Sequence, residues 1–281
     1  MFVNKAKWPN GMNNAVMISV NLDAEYYVRI FDPDLSADNK SFQDMGQKSI
    51  EIGLPRLLDV LNRYGIKATF FVPGAIAEKY ADALYYVAEL GHEIACHGYE
   101  HEHMGVLSRE EQYKVIQKGI KAIQNVCGKV PAGFRAPEGE ITTDTLILAK
   151  ELGFSYSSSL YADDTPYYND LGTSKFLEIP IHWSLYDLPY FAFDFSPCIP
   201  SGQSRIACSD KVLNNWKWEY DGFHKYGACY VLQLDPQCIG SQGKIYMLEE
   251  ILDYIIEKGG AWFATGCEIF DYYDELKEKL K

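Results

Sequence analysis

Apolar, β-rich runs alternate with segments of helical period along the whole of this chain, and that alternation restricts the fold more than any other feature. Strand-like residues 15–22, 68–72, 93–96 and 133–135 are each followed by a helix-like segment: 53–64, 75–90, 108–126 and 142–152. Strand, crossover helix and strand again is the rhythm of a parallel sheet covered by helices. The second half adds strands 154–160, 177–183, 229–234 and 261–264 around helices 210–225 and 244–257. Helix boundaries are well marked. Ser108-Arg-Glu-Glu offers a cap followed by first-turn acids, and Gly65, Gly91, Gly128 and Gly153 stand where helices end. Seven or eight mostly parallel strands are enough to close a distorted barrel, so the expected fold class is an α/β, distorted (β/α) barrel. With 281 residues and no linker, repeat or low-complexity stretch, 1–281 reads as a single domain. Two connections, 25–46 and 162–175, are longer than usual and are candidates for binding substrate or another subunit.

The charge balance removes whole classes of partner. With 26 Lys and Arg against 39 Asp and Glu, the formal net charge is −13. Such a surface offers no basic patch for phosphates or anionic lipid, so neither nucleic acid nor a membrane surface is expected as a partner. The opening residues carry no apolar run with a small-residue cleavage site, and no window is long enough to span a bilayer, so a cytoplasmic location is expected. Seven scattered cysteines without a CxxC pair read as reduced thiols rather than a disulfide framework. The 21 tyrosines read as polar-edged pocket walls.

In a barrel of this kind the chemistry sits where strands end and loops to helices begin. Asp23, His97, His101, Arg135 and Asp235 all fall at such strand ends. In His97-Gly-Tyr-Glu-His101 two imidazoles stand four residues apart, a spacing that in isolation also fits an exposed helix face. If the strands ending at Asp23 and His97 are neighbours, one carboxylate oxygen and two ring nitrogens can converge on a divalent cation, leaving positions open for water or substrate. A hydrolase is the leading expectation. His103 reads as exposed or peripheral, His92 lies at a strand start, and His182 and His224 read as structural. Cys96 alternates away from His97 and also reads as structural.

Several motifs together resemble the NodB-homology polysaccharide deacetylases, carbohydrate esterase family four, and within them the branch of cytoplasmic peptidoglycan-deacetylase-like proteins and metal-independent allantoinases. The pieces are Ser19-Val-Asn-Leu-Asp-Ala-Glu25, Lys67-Ala-Thr-Phe-Phe-Val-Pro-Gly74, Gly91-His-Glu-Ile-Ala-Cys-His-Gly-Tyr-Glu-His101, Phe134-Arg-Ala-Pro137, His182-Trp-Ser-Leu-Tyr-Asp-Leu-Pro-Tyr-Phe191 and Leu232-Gln-Leu-Asp-Pro236. The resemblance implies that Asp23, His97 and His101 hold a divalent metal, commonly zinc, that Arg135 orients the catalytic carboxylate, and that Trp183, Asp187 and Tyr190 line the substrate groove. Glu138 and Tyr99 are further candidates for contacting substrate. The implied reaction is attack of metal-activated water on an amide carbonyl. A small-molecule or oligosaccharide substrate and a homo-oligomer follow from the same resemblance.

Two positions depart from the family pattern. Asn21 stands where the family has its aspartate base, and Asp235 where it has a histidine acid. Asparagine takes no proton near neutrality. A carboxyl at 235 would have to rise by about 2.5 pH units to resemble histidine, and a nearby cation opposes that rise, so Asp235 is expected to be ionised. It is a candidate base, additional ligand or substrate contact, with Glu25, Glu138 and Glu100 as further acids or bases. Three functions remain open: deacetylation of an N-acetylated sugar, ring opening of a cyclic amide or ureide, and a catalytically weakened carbohydrate-binding protein. The intact Asp-His-His set speaks against a metal-free enzyme.

Overall fold

Burial at every position explains why the first strand is apolar through residues 15–18: β1 (Asn14–Asn21) is an interior strand of the sheet and is covered on both faces. The computed structural model describes residues 8–30, 40–139, 141–192 and 206–279. Part of the long 25–46 connection, residues 31–39, therefore lies outside the described residues.

The remaining strands are β2 (Thr69–Val72), β3 (Glu93–Cys96), β4 (Gly133–Phe134), β5 (Tyr156–Ser157), β6 (Tyr167–Asp170), β7 (Lys175–Glu178), β8 (Cys229–Leu234) and β9 (Ala261–Phe263). Their order is β6-β7-β5-β4-β3-β2-β1-β8, with β9 paired to the start of β1. All pairings are parallel except that of β6 with β7. A parallel bridge between Tyr186 and Gln233 sets the chain beyond β7 against β8, so the sheet curls as the expected distorted barrel. The 162–175 connection differs from a plain loop, because its residues 167–170 form β6 and make a hairpin with β7.

The helices are α1 (Lys40–Lys48), α2 (Leu54–Arg63), α3 (Gly74–Lys79), α4 (Ala81–Glu89), α5 (Arg109–Cys127), α6 (Thr143–Glu151), α7 (Leu188–Phe191), α8 (Ser209–Tyr226), α9 (Pro236–Ile239), α10 (Gln242–Lys258) and α11 (Gly266–Lys279). The single helix expected over 75–90 is broken at Tyr80, whose ψ of 42° leaves the helical region between α3 and α4. Helix α5 opens as expected on a reciprocal cap between Ser108 and Glu111, and closes on the left-handed Gly128. Among the described residues no helix is long and apolar enough to cross a membrane, and the six described cysteines are unbridged.

Strand alternation divides the core. Val16, Ile18 and Val20 pack with helix residues such as Leu57, Leu61 and Ile116, whereas Ala15 and Met17 face inward with Phe71, Ala95, Tyr156 and Val231. The inward series continues as Ser19 and Asn21, so the inward face of β1 carries polar groups only at the end of the barrel that leads to Asp23. Helix α5 fixes the neighbouring loop by close backbone approach. A Cβ on Gly119 would lie 2.3 Å from the carbonyl oxygen of Gly98 and 3.0 Å from Cys96 Sγ. Replacing Gly119 with alanine is expected to destabilise the protein by about 1–3 kcal/mol through overpacking. The readout is the urea unfolding midpoint, and an unchanged midpoint would show that the 97–101 loop is not held this way.

Candidate metal centre

Three strand ends supply the site. Asp23 follows β1 by two residues, His97 follows β3 directly, and Arg135 follows β4. The amide of His97 still donates to Val72 O at 3.0 Å, which continues the ladder and fixes the imidazole's origin. Beyond it the chain turns sharply through Gly98 (φ 75°) and His101 (φ 62°). Among the described residues four other than glycine have positive φ, and three of them, Ala24, His101 and Glu138, are at this site or next to it. Left-handed backbone at such residues costs on the order of 1 kcal/mol each and gathers where a particular side-chain position matters.

His97 Nε2 lies 3.7 Å from Asp23 Oδ1, and His101 Nε2 lies 3.5 Å from Asp23 Oδ2. Two donors bonded at about 2.1 Å to a tetrahedral ion are about 3.4 Å apart, so these separations fit the edges of a metal's coordination shell. The donor atoms of all three residues lie within 4.8 Å of one another, and all three side chains are buried. His97 Nδ1 stands 2.7 Å from Arg135 O, and a carbonyl only accepts, so Nδ1 carries the hydrogen and Nε2 turns its lone pair towards Asp23. Burial, with Arg135 nearby, holds the His97 pKa down at about 3, so the ring is neutral and ligand-ready.

Asp23 has the stronger need of a partner. Neither of its oxygens accepts a hydrogen bond from a described residue. Burial raises its pKa well above the usual carboxylate range, Asp235 and Glu138 raise it further, and Arg135 offsets only part. A buried, undonated carboxylate facing two others is expensive unless a cation neutralises it. The mixed imidazole and carboxylate donors therefore fit a divalent ion such as zinc. Glu138 reaches the same region, with Oε1 3.6 Å from His101 Nε2.

Arg135 is buried and stacked 3.9 Å over the Phe71 ring. Its Nε donates to Ser158 O (2.7 Å), one terminal nitrogen to Ser158 Oγ (2.9 Å), and the other to Ser19 Oγ (3.1 Å) and Asn21 Oδ1 (2.9 Å). No carboxylate is among these partners, and burial lowers the guanidinium pKa to about 10. Asn21 in turn donates from Nδ2 to the Tyr186 hydroxyl at 3.2 Å.

Asp235 is fully buried, with Oδ1 accepting from Gln237 Nε2 at 3.0 Å. Burial raises its pKa to about 7 despite the opposing pull of Tyr186, Asp187, Gln237 and Arg135, so near neutrality the carboxyl is poised between its two forms. Desolvation outweighs the neighbouring positive charge here. Asp187 is buried beside Asp235. Its carboxylate accepts from the amides of Asp235 (3.0 and 3.1 Å) and Ile239 (3.0 Å), so it anchors the backbone that presents Asp235.

The other expected site residues divide by their partners. Glu25 is buried against Lys79 (2.5 Å) and the Tyr80 hydroxyl (3.2 Å). Tyr99 donates to Glu78 at 2.8 Å beneath the Lys118 ammonium. The Tyr190 hydroxyl lies 3.4 Å from Ser184 O. These contacts lead away from the trio. Trp183, 66% exposed, packs with Tyr161 at 4.5 Å between ring centres. The sequence reading passed over Tyr186, Ser19 and Ser158. Tyr186 lay inside the 182–191 motif, one residue before Asp187, and Ser19 shares the inward parity of Asn21. His92 Nδ1 accepts from Ala68 N at 3.0 Å, and burial lowers its pKa to about 4.

Comparison with known proteins points to the polysaccharide deacetylases. The polysaccharide deacetylase family model matches residues 42–157. The chain is 28% identical over 256 residues to the peptidoglycan deacetylase of Helicobacter pylori, covering 82% of this chain and 87% of the relative. A solved structure from Mycobacterium smegmatis that carries a polysaccharide deacetylase name is 30% identical, with a TM-score of 0.90 over 97% of this chain and 94% of its own. The fold also matches that of PuuE allantoinase, with a TM-score of 0.83 at 19% identity, over 96% of this chain and 93% of that one.

The raised carboxyl of Asp235 sets a pH dependence in chelator-treated protein. The folded state holds this proton up to about pH 7, whereas an unfolded aspartate releases it near 3.9, so stability is lost as pH rises through that window and levels off above it. Asp235→Asn is expected to flatten the slope by on the order of 1 kcal/mol per pH unit. Urea unfolding at several pH values across the window measures this, and parallel curves for the two proteins would count against it.

Proposed function

Since the chain belongs to the polysaccharide deacetylase family, we propose that it hydrolyses the amide of an N-acetylated sugar and releases acetate at the site formed by Asp23, His97 and His101. The observation that carries this reading is the buried Asp23 carboxylate, undonated and set between two ring nitrogens. A divalent cation bound there, zinc by the chemistry of the donors, supplies polarisation of the carbonyl and a lowered pKa for the attacking water.

The chain's own residues do the rest. Arg135 is a positioning residue: its carbonyl fixes the His97 tautomer, and its guanidinium holds Asn21. Asn21 cannot accept the water's proton, so that step falls to Asp235, whose pKa of about 7 suits both taking a proton and returning it near neutrality. The water oxygen adds to the carbonyl carbon, the C–N bond breaks, and the proton held on Asp235 passes to the leaving nitrogen. Asp187 keeps Asp235 in place through its amide. The exposed Trp183 and Tyr161 rings offer an apolar face to a sugar ring, and Glu138 stands beside His101 at the edge of the site.

A second reading, ring opening of a cyclic amide or ureide, draws on Asn21 and Asp235 themselves, since they replace the base and acid of the sugar deacetylases. The test is a panel of N-acetylglucosamine oligomers against hydantoins, imides and allantoin. Acetate release that stops on chelation and returns with zinc is the expected result. Asp235→Asn should then lower kcat by about 10² to 10⁴, the usual cost of losing a proton-transfer group. Ring opening without acetate release would replace the first reading with the second. Ligand-induced melting shifts with no turnover would leave a binding protein.

A further inference from the structure

Asn21 is more than the loss of a base. Arg135 carries only hydrogen-bond donors, so the Asn21 atom facing it at 2.9 Å is the amide oxygen. That contact settles which way the carboxamide points, and Nδ2 must then face the Tyr186 hydroxyl 3.2 Å away. An amide nitrogen only donates, so it fills a lone pair of the phenol oxygen and turns the phenol hydrogen elsewhere. The hydrogen bonds run one way, from Arg135 through Asn21 to Tyr186.

We infer that Tyr186 is a catalytic residue, donating its hydroxyl hydrogen to the carbonyl oxygen of the amide being cut, and that Asn21 is the positioning residue that aims it. Around the phenol stand the carboxylates of Asp235, Glu138, Asp23 and Asp187, and burial among them keeps it protonated, with its hydrogen available to donate. In the free protein Asp235 is its hydrogen-bond partner. A bound amide places its oxygen in the same pocket, where a fixed donor strengthens as negative charge grows on that oxygen. The hydrogen stays on Tyr186 throughout. An aspartate at position 21 would instead accept from both Arg135 and Tyr186, drawing the phenol hydrogen away from substrate, so the residue of the family pattern is the wrong one for this pocket.

The inference rests on the amide-hydrolase reading and is tested on whichever amide the parent chain cuts. Tyr186→Phe should lower kcat by about 10² to 10³, the range for loss of one oxyanion donor, with KM within about twofold. Asn21→Asp, which folds or fails independently of the first variant, should lower kcat at least tenfold rather than restore a base. Circular dichroism and bound zinc per chain, unchanged in both, separate these effects from structural damage. Full kcat in Tyr186→Phe, a loss confined to KM, or a gain in Asn21→Asp would each overturn the inference while leaving the hydrolase reading intact. A parent chain that cuts none of the panel would sink both.

Discussion

A carboxylate taken out of water and given no hydrogen-bond donor is the constraint around which this end of the barrel is arranged. Asp23 is wholly buried, its oxygens accept nothing from the described residues, and Asp235 and Glu138 add repulsion. A fold rids itself of such a group unless something compensates it. Here two imidazole nitrogens sit at coordination spacing from it, and a divalent cation would satisfy all three at once. The positive φ values at Ala24, His101 and Glu138 belong to the same arrangement, because backbone strain is spent on aiming side chains there.

Much of this was legible in the sequence because it depends on strand ends. Alternating strands and helices imply a parallel sheet, parallel sheets collect chemistry at carboxyl ends, and Asp23, His97, Arg135 and Asp235 follow β1, β3, β4 and β8. What could not be read were contacts that cross the barrel. The tie of Glu25 to Lys79 and Tyr80 depends on how α3 lies beside the site. The linear motif could not show that the bridge between Tyr186 and Gln233 brings the Asp187 carboxylate to the backbone amide of Asp235. The raised pKa of Asp235 was hidden for a related reason. A sequence shows which charges accompany a residue, but the degree of burial that outweighs them emerges only from packing.

The paired departures at positions 21 and 235 become intelligible as a matter of charge. An arginine buried beside an aspartate forms a neutral pair, and exchanging the aspartate for asparagine leaves the guanidinium as an excess positive charge in a low-dielectric interior. Arg135 tolerates this through its hydrogen bonds to Ser19, Asn21 and Ser158 and its stacking on Phe71. A carboxyl group returns on the opposite wall as Asp235, close enough for Arg135 to draw its pKa down against burial.

Moving the carboxylate also changes what the intervening groups can do. With acceptors on both sides, Tyr186 would be a bridge with its hydrogen committed to one of them. With Asn21 donating from one side, the phenol is polarised towards the other, where Asp235, Glu138 and Asp23 gather and where a carbonyl oxygen would need a donor. A chain that had simply decayed from an active ancestor would have no reason to keep every member of this series hydrogen-bonded from the correct side. The order Arg135, Asn21, Tyr186 and Asp235 is a directional device, and its direction follows from the guanidinium of Arg135, the one group among them with no acceptor atom.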